Sequence, residues 1–336
     1  MTKITICGGG SLGHVCLGVL SSQSGVEVNL LTTRPESWSH QIKVTDQEGK
    51  VYESRIQHIS SQPSEVIPGA DIVLLCLPGF AIEETLQQIK PYLSQQTVVG
   101  TIVSSTGFFF AAHRILGDNA KLFGFQRVPF IARTDKYGQS ANLLGYKPSL
   151  AIAVENVDDR ESFRATISRL FQTPVTLLDS FYEVALTNSN PILHTARLFT
   201  MWRDWDGKPY DHCLLFYKEW TEEAAQLLIE MDQEFKTLTQ SLPMNGDAIP
   251  SLLDYYESVD AASLCHKLQS IKAFQNIPAP MKELPEVGWV PDFESRYFTE
   301  DFPYGLRFIY ELCRQQQLVT PHIDEVYAWG LSKIKK

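Results

Sequence analysis

The chain has 336 residues, 44% hydrophobic and 20% charged, enough for about two domains with a sizeable buried core. A formal charge of −10 excludes a general nucleic-acid or anionic-membrane surface, which needs clustered Lys and Arg. There is no bilayer-length apolar run, no basic-then-apolar leader, and no CxxC or metal-ligand spacing among Cys7, Cys16, Cys76, Cys213, Cys265 and Cys313, so a cytoplasmic protein with buried thiols, no metal and no membrane partner is expected.

A short apolar strand, Ile4-Thr5-Ile6-Cys7, runs into Gly8-Gly9-Gly10-Ser11-Leu12-Gly13 and a helix-compatible run over 14–20; a second apolar strand follows over 26–31. This is the GxGxxG dinucleotide fingerprint in its βαβ context. Gly8 allows the tight turn, Gly10 lets backbone approach a pyrophosphate, and Gly13 lets helix and strand pack closely. Ser11 and Leu12 stand at the helix N-terminus, whose unpaired N–H groups face the phosphates. Outside this context the same glycines would make only a strand-to-helix turn.

An Asp or Glu about 20 residues beyond the glycines would hold the adenosine ribose of NAD. The second strand ends instead in Leu30-Leu31-Thr32-Thr33-Arg34. Hydroxyls and a guanidinium suit a 2′-phosphate, so NADP is expected ahead of NAD, with Thr33 and Arg34 as contacts. The structural alternative makes Arg34 a solvated cation and lets Pro35 end the strand.

The continuous apolar run over 69–78 reads as a strand buried on both faces, its end at Leu77-Pro78 lining the cofactor crevice. A helix over 83–93, a strand over 97–103 and the loop Ser104-Ser105-Thr106-Gly107-Phe108 follow. Strands over 150–154 and 175–178 flank an amphipathic helix over 162–171 and close the first domain. From Phe181 onward helical spacing dominates, over 219–242, 249–257 and 304–317, while 278–291 is proline-rich and reads as irregular. The fold class expected is α/β: an N-terminal doubly wound Rossmann domain, 1–178, and a C-terminal all-helical domain, 179–336, with a cleft between them.

Two segments of the helical half concentrate chemistry. In Asn188-Ser189-Asn190-Pro191-Ile192-Leu193-His194, Asn190 and His194 share a face if both are helical; alternatively Asn190 caps a helix that Pro191 begins. Arg296-Tyr297-Phe298-Thr299-Glu300-Asp301-Phe302-Pro303-Tyr304-Gly305-Leu306 brings together a guanidinium, carboxylates and aromatics. Its Thr299, Glu300 and Asp301 read equally well as helix-capping residues.

The fingerprint, the NPxxH stretch, the RYxTEDxPxGL stretch and Thr320-Pro321-His322-Ile323-Asp324 together resemble the octopine/nopaline (opine) dehydrogenase family, over both domains. The resemblance implies reductive condensation: a 2-oxo acid and an amino acid form an imine, which NAD(P)H reduces. It implies His194 as the proton-transfer residue, Asp301 as its orienting carboxylate, Asn190 as a substrate ligand and Arg296 as a cofactor-pyrophosphate contact. The partners implied are small molecules, with a homodimer left open. The Ser104 to Phe108 loop is more hydroxyl-rich than the family pattern, and Arg127 and Arg133 are candidates for a second substrate carboxylate. Two rival functions remain. One is a 2-oxo acid reductase resembling ketopantoate reductase, for which Lys218 with Glu219, or Lys267, would have to serve. The other is a dinucleotide-binding sensor without turnover.

Overall fold

Successive residues of the strand Ile72–Leu75 enter different cores. Ile72 and Leu74 pack in one with Ile4, Ile6, Val15 and Leu17, whereas Val73 and Leu75 pack in another with Ile82, Leu86 and Phe108. Such a strand lies inside a sheet covered on both faces, which is why its sequence is uninterrupted apolar. The computed structural model describes residues 1–334 and divides into two compact units, Met1–Ala185 and Leu186–Lys336.

Among the described residues, the first unit holds β1 (Thr2–Cys7), β2 (Val26–Leu31), β3 (Gln41–Asp46), β4 (Val51–Ser60), β5 (Ile72–Leu75), β6 (Val98–Thr101), β7 (Leu122–Phe125), β8 (Phe130–Lys136), β9 (Ser140–Tyr146), β10 (Leu150–Glu155) and β11 (Val175–Leu177). They form one sheet in the order β11-β10-β7-β6-β5-β1-β2-β4-β3-β9-β8. From β7 through β6, β5, β1 and β2 to β4 all neighbours are parallel. Chain order reverses at β1, which has β2 on one side and β5 on the other. Cys7 lies opposite both Leu31 and Leu75, and Leu75 opposite Thr101, so the carboxyl ends of four strands are level. Ligands of doubly wound sheets bind outside such ends, at the reversal.

The chain between 31 and 69 and between 103 and 150 carries strands that sequence patterning does not announce. In β4 the inward residues are Tyr52, Ser54 and Ile56, and the serine breaks the apolar alternation. The first compact unit runs to Ala185, so the helix Phe181–Ala185 stays with the sheet. Val184 is buried in the core that holds Phe108 and Ala153, and the Phe181 ring stacks on Phe109 at 5.1 Å.

The second unit is built from the helices Asn190–Trp202, Glu222–Ser241, Ala261–Ser270, Arg307–Gln315 and Pro321–Lys333 around the buried rings of Trp202, Phe216, Trp220, Phe298 and Phe302. Its longest described helix starts as its sequence dictates: Thr221 Oγ1 accepts the Ala224 N–H at 3.2 Å, with Glu222 and Glu223 in the first turn. The stretch over 278–291, expected to be irregular, forms an antiparallel hairpin of β12 (Met281–Leu284) and β13 (Gly288–Pro291). Its turn depends on the left-handed backbone of Glu286 (φ 62°) and Gly288 (φ 126°). No described helix is long and apolar enough to cross a membrane.

Candidate active site

The first unit supplies a binding edge made largely of backbone. Gly8, the residue after β1, has φ 117°, and a Cβ there would lie 2.6 Å from the Cys76 carbonyl oxygen, so glycine is required. A Cβ on Gly13 would run into the Gly8 carbonyl. Gly10 differs: a Cβ there would meet nothing within 4 Å, leaving an open approach to the backbone. Gly10 is also the N-cap of the helix Ser11–Ser21, which has no side-chain cap and no acidic residue in its first turn. The positive helix end and its N–H groups are therefore left for an anion, and the donors fit a pyrophosphate.

The other residues of this edge are placed as follows. Ser11 turns its hydroxyl to β8, accepting the Thr134 N–H at 3.1 Å. Leu12 packs its half-buried side chain on the core. Thr33 and Arg34 are exposed just beyond β2, and the Arg34 guanidinium lies 4.4 Å from the centroid of the Tyr137 ring. Leu77 and Pro78 follow β5, with Pro78 as N-cap of the helix Gly79–Ile89.

One residue of this edge escapes sequence reading. His14 Nε2 accepts the Gly138 N–H at 2.7 Å, so Nδ1 carries the proton and donates to the Gly10 carbonyl at 2.9 Å. Burial holds this imidazole below its ordinary value, which keeps it neutral. Its ring lies 4.2 Å from Trp38 and 5.3 Å from Tyr137. His14 thus pins the fingerprint helix to the β8–β9 turn, which carries the ring beneath Arg34.

The second unit supplies side chains. A Cβ on Gly305 would lie 2.7 Å from Pro191 Cγ, so glycine lets the π-turn Phe302–Leu306 settle on the first turn of the helix Asn190–Trp202. Asp301 precedes that π-turn, its carbonyl accepting the Leu306 N–H at 2.7 Å. This packing brings Asp301 Oδ2 to 2.8 Å from His194 Nδ1, both side chains mostly buried. A carboxylate only accepts, so Nδ1 carries the proton and Nε2 is the basic nitrogen. Nε2 lies 3.0 Å from the Tyr217 hydroxyl. The Tyr297 and Phe216 rings wall the imidazole at 4.8 and 5.5 Å between centroids. Burial pushes the Tyr217 phenol well above its ordinary value, so it keeps its proton; Tyr297 is raised by burial and by the Asp301 charge.

Asn190 is itself the first residue of its helix, Ser189 preceding it as cap, so Asn190 and His194 share a face and the Asn190 side chain is exposed. Arg296 opens the short helix Arg296–Thr299 with its side chain 84% exposed and Glu300 4.0 Å away.

Other residues singled out by sequence are committed to structure. The Glu234 carboxylate caps the helix Pro321–Lys333, accepting the His322 and Ile323 N–H groups at 3.0 and 2.9 Å and the His322 ring at 2.8 Å, while Asp324 pairs with Arg314 at 3.3 Å. Ser104 and Thr106 donate their hydroxyls to the Phe125 and Val103 carbonyls, both at 2.8 Å. Arg127 and Arg133 are exposed, and the Arg133 guanidinium turns back to the Ala132 carbonyl at 3.2 Å. Lys267 pairs with Glu257 at 2.6 Å, Glu219 accepts the Leu215 N–H, and Lys218 is exposed. Tyr217 was not legible in the sequence: no motif surrounds it, and it stands 23 positions from the histidine it meets.

A glycine-built dinucleotide edge and a separate helical unit carrying an imidazole–carboxylate pair define a nicotinamide-dinucleotide-dependent oxidoreductase. The family model for the α-helical domain of NAD/NADP octopine/nopaline dehydrogenase matches residues 177–333, and the model for ketopantoate reductase PanE/ApbA matches residues 4–107, ending well before His194. The octopine dehydrogenase of Pecten maximus is 30% identical, covering 99% of this chain and 90% of its own length. Two octopine dehydrogenase structures, one with NADH and L-arginine and one with NADH and pyruvate, align with TM-scores of 0.89 and 0.88 at 28% and 27% identity, covering 99% and 100% of this chain and 89% and 90% of theirs. The chain belongs to the opine dehydrogenase family of NAD(P)-dependent oxidoreductases acting on CH–NH donors.

Proposed function

We propose that this chain condenses a 2-oxo acid with the amino group of an amino acid and reduces the resulting imine, with His194 as the acid–base residue and Asp301 as the carboxylate that orients it. The observation that carries the proposal is the 2.8 Å bond from His194 Nδ1 to Asp301, which leaves Nε2 as the basic nitrogen. The similar octopine dehydrogenase structures hold L-arginine or pyruvate, an amino acid and a 2-oxo acid, which supports the same two substrate classes here.

In this reaction the amine adds to the oxo carbon, water leaves, and a C=N bond forms. The bound dinucleotide supplies the hydride that reduces this carbon, and the nitrogen ends as a secondary amine. His194, once protonated at Nε2, gives a proton to the departing oxygen, and in the reverse direction neutral Nε2 takes it back. Asp301 stabilises the imidazolium and fixes its tautomer. Asn190 donates its carboxamide to a substrate carboxylate or carbonyl. The cofactor is held by Gly8, Gly10, Ser11, Leu12 and Gly13 at the pyrophosphate, by Leu77 and Pro78 along the crevice, and by the exposed Arg296. NADP is the preferred form because the Arg34 guanidinium, stacked on Tyr137, is held ready for a 2′-phosphate in the absence of a ribose-binding carboxylate.

The test follows NADPH oxidation with a mixed pool of 2-oxo acids, with and without a mixed pool of amino acids. Oxidation that needs both pools is expected. Oxidation by oxo acids alone would assign 2-hydroxy acid chemistry, and tight NADPH binding without turnover would assign a sensor.

A further inference from the structure

In neutral His194 the Nε2 lone pair is the ring position able to take a proton, and it is already engaged by the Tyr217 hydroxyl at 3.0 Å. We infer that Tyr217 is a positioning residue that holds Nε2 ready and stabilises it once protonated, and that Arg197 is the brace that keeps Tyr217 in place. The inference rests on the acid–base reading of His194 given above.

Tyr217 lies in the segment between the helices Asn190–Trp202 and Glu222–Ser241, just after an antiparallel bridge of Leu215 with Pro278 in which the Phe216 N–H donates to the Ile277 carbonyl at 2.9 Å. Past that bridge Arg197 adds a side-chain hold on the backbone. It follows His194 by three positions on the same helix, is 4% exposed, and donates Nε to the Phe216 carbonyl at 3.2 Å and Nη2 to the Glu219 carbonyl at 2.6 Å. These two carbonyls bracket Tyr217. A buried guanidinium is tolerated only when its donors are used, and its fork reaches two diverging acceptors that a single ammonium does not. Burial lowers Arg197 only to about 10, so it stays charged at neutral pH. The Tyr217 ring stacks with Phe274 and with Trp220, with centroids at 4.3 and 5.9 Å, and Trp220 also lies 5.6 Å from the Arg197 guanidinium. The helix that carries the acid–base residue therefore also carries the anchor of its hydrogen-bond partner.

A hydroxyl is suited to this place because it reverses roles. It donates to neutral Nε2 and accepts from protonated Nε2, and the second bond, being charge-assisted, is the stronger. Among the described residues, the titratable groups in contact with His194 are Asp301, Tyr217 and Tyr297. Without the Tyr217 hydroxyl the imidazolium loses an acceptor, so proton uptake at His194 moves to lower pH.

Tyr217→Phe keeps the packed ring and removes the hydroxyl. Nitrogen-15 resonances of His194 in the full-length protein, followed against pH, should show the protonation midpoint moving down, and the imidazole-dependent limb of the pH–rate profile should move with it. The kcat should fall about tenfold, as for the loss of one hydrogen bond, with KM for NADPH unchanged. Arg197→Lys should shift the midpoint in the same direction with Tyr217 intact; if that variant does not fold, Tyr217→Phe decides alone. A Tyr217→Phe protein that titrates at His194 like wild type overturns the inference. Wild-type protein without condensation activity would overturn the proposed reaction, while the nitrogen-15 titration would still report on Tyr217.

Discussion

The dinucleotide edge of the first unit and the imidazole–carboxylate cluster of the second are built by opposite means. Backbone makes the edge: three glycines, a helix end without a side-chain cap and the level ends of four strands create it, and the glycines and the helix end lie together within residues 8–13. Side chains make the cluster: His194 meets Asp301 across 107 positions and Tyr217 across 23. A backbone site tolerates changes to most side chains but no added Cβ where the ligand lies. A side-chain site fails when a single functional group is removed, without loss of cofactor binding.

The largest effect expected is at the cluster. Asp301→Ala should lower kcat by about 10²- to 10⁴-fold, the usual contribution of general acid–base catalysis, while NADPH affinity measured by fluorescence titration stays the same. Loss of NADPH binding in this variant would break the separation of the two sites. Next comes the edge itself: Gly10→Ala should weaken NADPH by about a hundredfold, equivalent to about 2.7 kcal/mol of binding. The same change should alter folding stability by less than about 1 kcal/mol, because a Cβ there meets no protein atom within 4 Å. Equal loss of stability and affinity would show that the glycine serves the turn and not the ligand.

A smaller change concerns cofactor choice. Arg34→Glu should reduce the preference for NADPH over NADH by about tenfold to a hundredfold, the range of a lost charge-assisted bond, as read from kcat/KM with each cofactor. An unchanged preference would leave Arg34 a solvated cation on Tyr137.

The smallest effect separates a structural histidine from a chemical one. His14 is held below its ordinary value of 6.5 by burial, so the unfolded chain takes up a proton first as pH falls. Its stabilisation is present above pH 6.5 and is lost on acidification through and below that value. His14→Asn should therefore cost about 1–2 kcal/mol at high pH, less on acidification, and leave kcat unaltered, as checked by urea unfolding at two pH values and by turnover. A cost that grows on acidification would contradict the neutral assignment.

The same contrast explains what the sequence discloses. Residues 4–34 display the edge because glycine spacing, strand and helix are local signals. The pairing of Asp301 with His194 depends on Gly305 packing against Pro191, which no periodicity marks; family resemblance carried those positions. Tyr217 and Arg197 belong to no motif, and they became visible only through the bonds they make. In the fold, the buried run over 69–78 was legible because both faces of its strand are covered, whereas the inward Ser54 of β4 hid a strand. The hairpin of β12 and β13 was masked by prolines that stand before and at the ends of its strands.

The most direct test supplies NADPH deuterated at the transferred position, together with pooled 2-oxo acids and amino acids, and follows the label by mass spectrometry. One deuterium is expected on the carbon that bears the new C–N bond, in a product containing both acid skeletons. Deuterium recovered in a 2-hydroxy acid, with the amino acids unchanged, would contradict it.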